Sequence, residues 1–147
     1  MLSRTVTDPV APGTGVTSPL PSTDSHGIRI DLEPHWGGEV ILARVTGELD
    51  LLSTPVLQQW IAQHAPRSRS QGFVLDMRDV DFFSAAGLGV LTELADHAAH
   101  HGVPWALVAD TRIVLRPLYV TGLEQRLPLY RSVVDALDAV RDSVHAA

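Results

Sequence analysis

Phe73-Val74-Leu75-Asp76-Met77 is a compact apolar run of strand length, and it restricts the fold of this chain more than any other segment. Such a run suits a buried central strand of a sheet, covered by other elements. Its surroundings agree. Ile28, Ile30 and Leu32 alternate with Arg29, Asp31 and Glu33, the pattern of a half-buried strand. Pro34-His35-Trp36-Gly37-Gly38 is a turn, and Glu39–Thr46 reads as a second strand through Val40, Ile41, Leu42 and Val45. A hairpin is the economical connection between them. Ser53-Thr54-Pro55 places a hydroxyl N-cap before a proline in the first helical turn. Val56, Leu57, Trp60 and Ile61 then fall at helical spacing until the chain reaches Pro66.

After the central strand comes the loop Asp81-Phe82-Phe83-Ser84-Ala85-Ala86-Gly87. A helix with Leu88, Leu91, Leu94 or Ala95, and Ala98 on one face follows, and Gly102 is its natural C-terminal cap. Val103–Ala109 reads as a fourth strand, and Thr111 as the cap of a short helix that Pro117 stops or kinks. Leu127–Tyr130 gives a brief fifth strand, and Ser132 caps a last helix with Val133, Ala136, Leu137, Val140 and Val144 on its apolar face. The order ββαβαβαβα predicts an α/β fold: a mixed five-stranded sheet with about four helices. Residues 1–27 carry four of the ten prolines and no periodic apolar pattern, which predicts a disordered N-terminal extension before a domain over residues 28–147.

Composition narrows the chemistry. A chain of 147 residues suits one domain. With no cysteine, disulfides, thiolate catalysis and Cys-ligated metal centres are excluded. All 11 basic residues are arginine, so neither a lysine Schiff base nor a phosphate-loop lysine is available. A net charge of −6 disfavours a general nucleic-acid or anionic-membrane binder. The first twenty residues have no apolar targeting core, and no apolar stretch approaches the roughly 20 residues that span a bilayer. A cytoplasmic protein without membrane insertion is expected. No nucleophile elbow or dinucleotide fingerprint is present, so an enzyme is not expected.

Three segments resemble one family. Val45-Thr46-Gly47-Glu48-Leu49-Asp50 with Ser53-Thr54 is similar to the segment before the first helix of STAS domains, as found in small bacterial anti-sigma factor antagonists. Residues 73–91, with Ser84-Ala85-Ala86-Gly87-Leu88, resemble the family's strand–loop–helix that holds its phosphorylation site. Gly122-Leu123 through Leu127-Pro128-Leu129-Tyr130, with Ser132 and Ala136-Leu137, resembles the closing segment. The resemblance implies the STAS fold and a partner switch. Unphosphorylated, such a domain binds an anti-sigma factor that is also a serine kinase; phosphorylated, it lets go. A hydroxyl at a helix start suits such a switch, because backbone N–H groups and the macrodipole favour an anion there.

This chain departs from the family where the switch resides. Ala85 and Ala86 occupy the positions that normally carry the acceptor hydroxyl, and Ser84 stands in place of the family's Asp. Three readings stand at this point: Ser84 as helix N-cap only, a constitutive antagonist without a switch, or Ser84 as a displaced phosphoacceptor. The expected partner surface comprises Glu48, Asp50, Ser53, Thr54, Phe82, Phe83, Ser84, Ala85, Ala86, Gly87 and Leu88, one of the two phenylalanines facing the core. The implied partner is an anti-sigma factor of the serine-kinase type; a homodimer is compatible with the sequence. Alternatives are an accessory subunit of a lipid ABC transporter, which the Ala85-Ala86 pair also fits, and a small-ligand sensor built on Trp36, Trp60 and Trp105. Asp76, Asp79 and Asp81 follow from strand and turn alternation, and His97, His100 and His101 read as solvated helix surface. Neither group is expected to bind metal, and no cofactor is expected.

Overall fold

In the computed structural model, which describes residues 22–146, the sheet opens with a strand that the apolar pattern does not announce. Strand β1 (Ser22–Ser25) pairs antiparallel with β2 (Ile28–His35) across His26-Gly27. Both turn residues have positive φ, 54° and 82°, as a two-residue hairpin turn of the I′ kind requires. The sheet therefore has six strands instead of the expected five. Strand β1 is a polar edge strand held by backbone pairing, so side-chain alternation leaves no trace of it. The rest of the expected extension, residues 1–21, lies outside the described residues.

The remaining elements follow the expected order. Strand β3 (Val40–Leu49) completes the second hairpin, and α1 (Thr54–His64) leads to β4 (Gly72–Phe83). Helix α2 (Ala85–His101), β5 (Trp105–Val108), α3 (Arg112–Thr121), β6 (Leu129–Tyr130) and α4 (Val133–His145) complete the chain. Spatial strand order equals chain order, with β3 to β6 all parallel. Right-handed crossovers between successive parallel neighbours put α1, α2 and α3 on one face. Phe73, Leu75 and Met77 of β4 meet Leu57 and Trp60 of α1, Leu91 and Leu94 of α2, and Leu118 of α3 there.

Helix α4 covers the other face. Its Ala136, Leu137 and Val140 pack on Val40, Leu42, Val74, Ala106 and Val108. Gly72 makes this approach feasible, because a Cβ there would lie 2.2 Å from Val140 Cγ1. The far end of α4 is held to the β2–β3 turn. Glu39 Oε1 accepts from His145 Nε2 at 2.7 Å and lies 3.4 Å from Arg141 Nε. The Arg141 guanidinium sits 4.5 Å above the Trp36 ring. The hydrogen bond from His145, with Arg141 adding to it, holds the Glu39 carboxyl below its ordinary pKa.

Beyond α4 the same sheet face turns charged. Asp76 is 2% exposed, with Oδ1 accepting from Arg78 Nε at 3.0 Å and Oδ2 from Arg44 Nη1 at 3.2 Å. Two guanidinium groups thus compensate one buried carboxylate. Removing a partner from such a set costs about 3–5 kcal/mol.

Three local expectations are corrected. Strand β4 continues through Asp81-Phe82-Phe83, which reads as loop in sequence, because Glu48 and Leu49 of β3 pair with Phe82 and Phe83. Pro117 does not stop helix α3, which runs on to Thr121. The carbonyl that loses its N–H partner there belongs to Ile113, on the exposed side, while buried Val114, Leu115 and Leu118 hold the helix down. Thr111 stands at the N-cap of α3 without a capping side-chain bond, whereas Ser132 does cap α4 by accepting from Asp135 N–H at 3.2 Å.

Two stability experiments follow. Gly72→Ala is expected to cost about 1–3 kcal/mol by pushing α4 off the sheet. Gly89→Ala, on α2 with nothing within 4 Å of its Cβ, should instead stabilise by about 0.5–1 kcal/mol. Urea midpoints of both variants against wild type check this pair of opposite signs. The second concerns acid. A folded-state pKa below the unfolded value gives stability that is present above the ordinary glutamate pKa of 4.5 and is lost as pH falls through the lowered value. Glu39→Gln should therefore shallow the decline of the urea midpoint below pH 4.5. An unchanged slope would show that the α4 latch does not contribute.

Candidate functional site

The carboxyl ends of β3 and β4 meet at one edge of the sheet, and the two segments singled out in the sequence come together there. Gly47 creates the bend. Its φ is +110°, and a Cβ would lie 2.1 Å from the Gly27 carbonyl oxygen, so this position demands glycine. The pairing register of β3 with β4 shifts on either side of it, a bulge that re-aims the strand end.

The turn that follows is a closed set of hydrogen bonds. Asp50 Oδ1 accepts from the N–H groups of Leu52 and Ser53, each at 2.9 Å. The Ser53 hydroxyl donates to the Glu48 carbonyl and accepts from Asp50 N–H at 2.9 Å. These bonds, that from Ser53 N–H foremost, hold the Asp50 carboxyl below its usual pKa. Asp and Ser at this spacing replace backbone turn bonds with side-chain ones. Ser53 stands at the N-cap of α1, but its hydroxyl is spent on the turn and makes no helix cap.

Strand β4 delivers the second loop. Ser84 N–H donates to the Leu49 carbonyl at 2.9 Å, which ties the two strand ends together. Phe83 is buried beneath the first turn of α2, where Gly87 admits its ring: a Cβ at Gly87 would lie 2.6 Å from Phe83 Cε1. Phe82 points the other way and is 51% exposed. Ser84 occupies the N-cap position of the 17-residue α2, yet its Oγ is buried and has no hydrogen-bond partner among the described residues.

The expected site residues thus divide into two groups. Glu48, Phe82 and Ala85 are exposed, and Asp50, Ser84, Ala86 and Leu88 are half-buried. Ser53, Thr54, Phe83 and Gly87 are buried, so they support the edge from beneath and present no surface. Two further residues emerge. Leu51 and Leu52 are 80% and 70% exposed in the turn that the Asp50–Ser53 bonds close after β3. An adjacent Leu pair in a turn was the available signal, but a leucine carries no chemistry that marks it in sequence.

The other candidates disperse. Asp76 is committed to Arg44 and Arg78. His97 is half-buried rather than solvated, with Nε2 2.9 Å from the Pro66 carbonyl, so it fastens α2 to the turn after α1. The tryptophans form no common box: Trp60 lies in the core against Phe73, Trp105 packs on the same core, and Trp36 stacks with Arg141 on the α4 side.

Comparison with known proteins agrees with this geometry. Anti-sigma-F factor antagonist RsfB of Mycobacterium tuberculosis is 26% identical over 114 residues, which cover 78% of this chain and 90% of that protein. Osmosensory protein A of Mycobacterium tuberculosis is 30% identical over 128 residues, covering 84% of this chain and 77% of the relative. The crystal structure of an anti-sigma factor antagonist from Mycobacterium paratuberculosis superposes with a TM-score of 0.68 at 31% identity, over 78% of this chain and 95% of that one. Residues 35–136 match the STAS domain, the α/β fold built here around Gly47, Ser84 and the α2 N-terminus. The chain belongs to the STAS domain family.

Proposed function

We propose that this chain is an anti-sigma factor antagonist, a protein-binding regulator that engages a kinase-type anti-sigma factor through the edge formed by residues 48–54 and 82–88. The observation that carries this reading is the exposure of Leu51, Leu52 and Phe82 on the two segments that meet at the carboxyl ends of β3 and β4. Three large apolar side chains held in water, two by a hydrogen-bonded turn and one by a strand end, are unfavourable unless a partner covers them. Burying each fully is worth about 1.5–3 kcal/mol. Glu48 and Asp50 supply a polar rim, as interface centres commonly have.

The switch itself is absent on this reading. Ala85 and Ala86 have no hydroxyl, and the Ser84 oxygen is buried away from any kinase. Constitutive binding is the consequence: release follows from concentration or from other partners rather than from phosphate. Similarity to antagonists of Mycobacterium species supports the class of partner. The role as binding module without enzymatic activity, located in the cytoplasm, belongs to the same proposal. Among the described residues no helix is long and apolar enough to cross a membrane. The Ala85-Ala86 pair also suits a transporter-associated STAS subunit, whose partner would be an ABC ATPase.

Affinity capture from the native lysate, with bound proteins identified by mass spectrometry, separates these readings. Recovery of a kinase-like anti-sigma factor is expected, and recovery of an ABC ATPase in its place would sink the antagonist assignment. Against the purified anti-sigma factor, Leu51→Asp and Phe82→Asp should each weaken binding by roughly 30-fold or more with the circular dichroism spectrum unchanged. Incubation of the wild type with that kinase and ATP is expected to leave the intact mass unaltered. A phosphate located on Ser84 would replace constitutive binding with a displaced switch.

A further inference from the structure

At the carboxyl ends of β5 and β6 a second groove opens, lined by none of the residues of segments 48–54 and 82–88. Its volume is about 400 Å³, within the range of roughly 300–1,000 Å³ that small-molecule sites occupy. Arg112 and Arg116, four residues apart on α3, face it, and Arg131 enters from the end of β6. Leu115, the ring of Tyr119 and Val120 provide an apolar wall. Arg131 Nη2 lies 3.4 Å from the Tyr119 hydroxyl, which steadies the guanidinium at the mouth.

The charge balance of this groove is unusual for the molecule. The chain carries a net charge of −6, yet three of its 11 arginines converge here. Arg29, Arg44, Arg78 and Arg141 all form ion pairs; Arg67, Arg69, Arg112, Arg116, Arg126 and Arg131 form none among the described residues, and three of these six share this groove. Asp110 lies on the rim, but it pairs with none of the three, and its charge acts on Arg78. Like charges at i, i+4 on a helix destabilise it by a few tenths of a kcal/mol. An anion placed between them removes that repulsion. Position agrees as well, since ligands of open α/β sheets bind outside the carboxyl ends of parallel strands.

We infer that this groove binds a small organic oxyanion, a carboxylate or phosphate monoester attached to an apolar body. The planar guanidinium forks of Arg112, Arg116 and Arg131 take the oxyanion through charge-assisted hydrogen bonds. The apolar body lies against Leu115, Tyr119 and Val120. The inference is independent of the anti-sigma factor reading, because the two sites share no residue.

Titration of the full-length ¹⁵N-labelled protein with phenyl phosphate, benzoate, inorganic phosphate and benzyl alcohol tests it by backbone amide shifts. Phenyl phosphate or benzoate should give saturable shifts confined to residues 110–120 and 129–132, and the stronger of the two identifies the oxyanion. Inorganic phosphate and benzyl alcohol should bind at least about tenfold more weakly, each lacking one half of the recognition. Arg116→Gln and Arg131→Gln, both at exposed positions, should each weaken the aromatic anion about tenfold or more while signals elsewhere stay in place. No saturable shift with either aromatic anion overturns the inference. So does inorganic phosphate binding as tightly as phenyl phosphate, or Gln variants that bind unchanged. Leu51→Asp should retain the anion response, which keeps failure at this groove distinct from failure at the partner edge.

Discussion

The parallel pairing of β4 with β3 is the constraint on which the rest of the molecule depends. Strand β4 is buried on both faces along its first half, with Phe73, Leu75 and Met77 toward the three-helix side and Val74 toward α4. A strand so covered fixes its register, because a slip by one residue would exchange the two apolar sets and carry Asp76 into the larger core. The same register runs on past the core and sets Glu48 opposite Phe82 and Leu49 opposite Phe83. The proposed partner edge is therefore an extension of the core, and its geometry is inherited from packing that lies several residues away.

This arrangement explains how a short turn can hold leucines in water. The Asp50–Ser53 bonds are local, but Ser53 is fully buried and Ser84 N–H reaches across to the Leu49 carbonyl. Both loops are thus anchored at their bases by groups that contribute no exposed surface. Rigid display would lower the entropy lost if the proposed partner closes over Leu51, Leu52 and Phe82. Phe82 and Phe83 part ways here, one exposed to solvent and one the wedge beneath α2.

Much of this was legible in the residues and some was not, for physical reasons. The alternation of Ile28, Ile30 and Leu32, the dense run at Phe73–Met77 and the glycine after His101 encode elements directly, because burial and backbone conformation act on those side chains. The segment Ser22–Ser25 encodes nothing comparable, since a polar edge strand is paired mainly through main-chain bonds. Pro117 misleads for the converse reason: tertiary burial of Leu115 and Leu118 outweighs one missing hydrogen bond. At the site, the segments 48–54 and 82–88 were visible as a resemblance, but which members face water depended on the bulge at Gly47. Arg112 and Arg131 stand 19 positions apart and become neighbours only when β5 and β6 pair.

The latch between Glu39 and His145 joins residues 106 positions apart, and Gly72 meets Val140 nearly 70 positions later. During synthesis, then, the face made by Val40, Leu42, Val74, Ala106 and Val108 stays open until α4 has left the ribosome. The three-helix core can close before that moment, whereas the second cannot. Until α4 docks, one apolar sheet face therefore has no cover, and chaperone demand should concentrate in that interval.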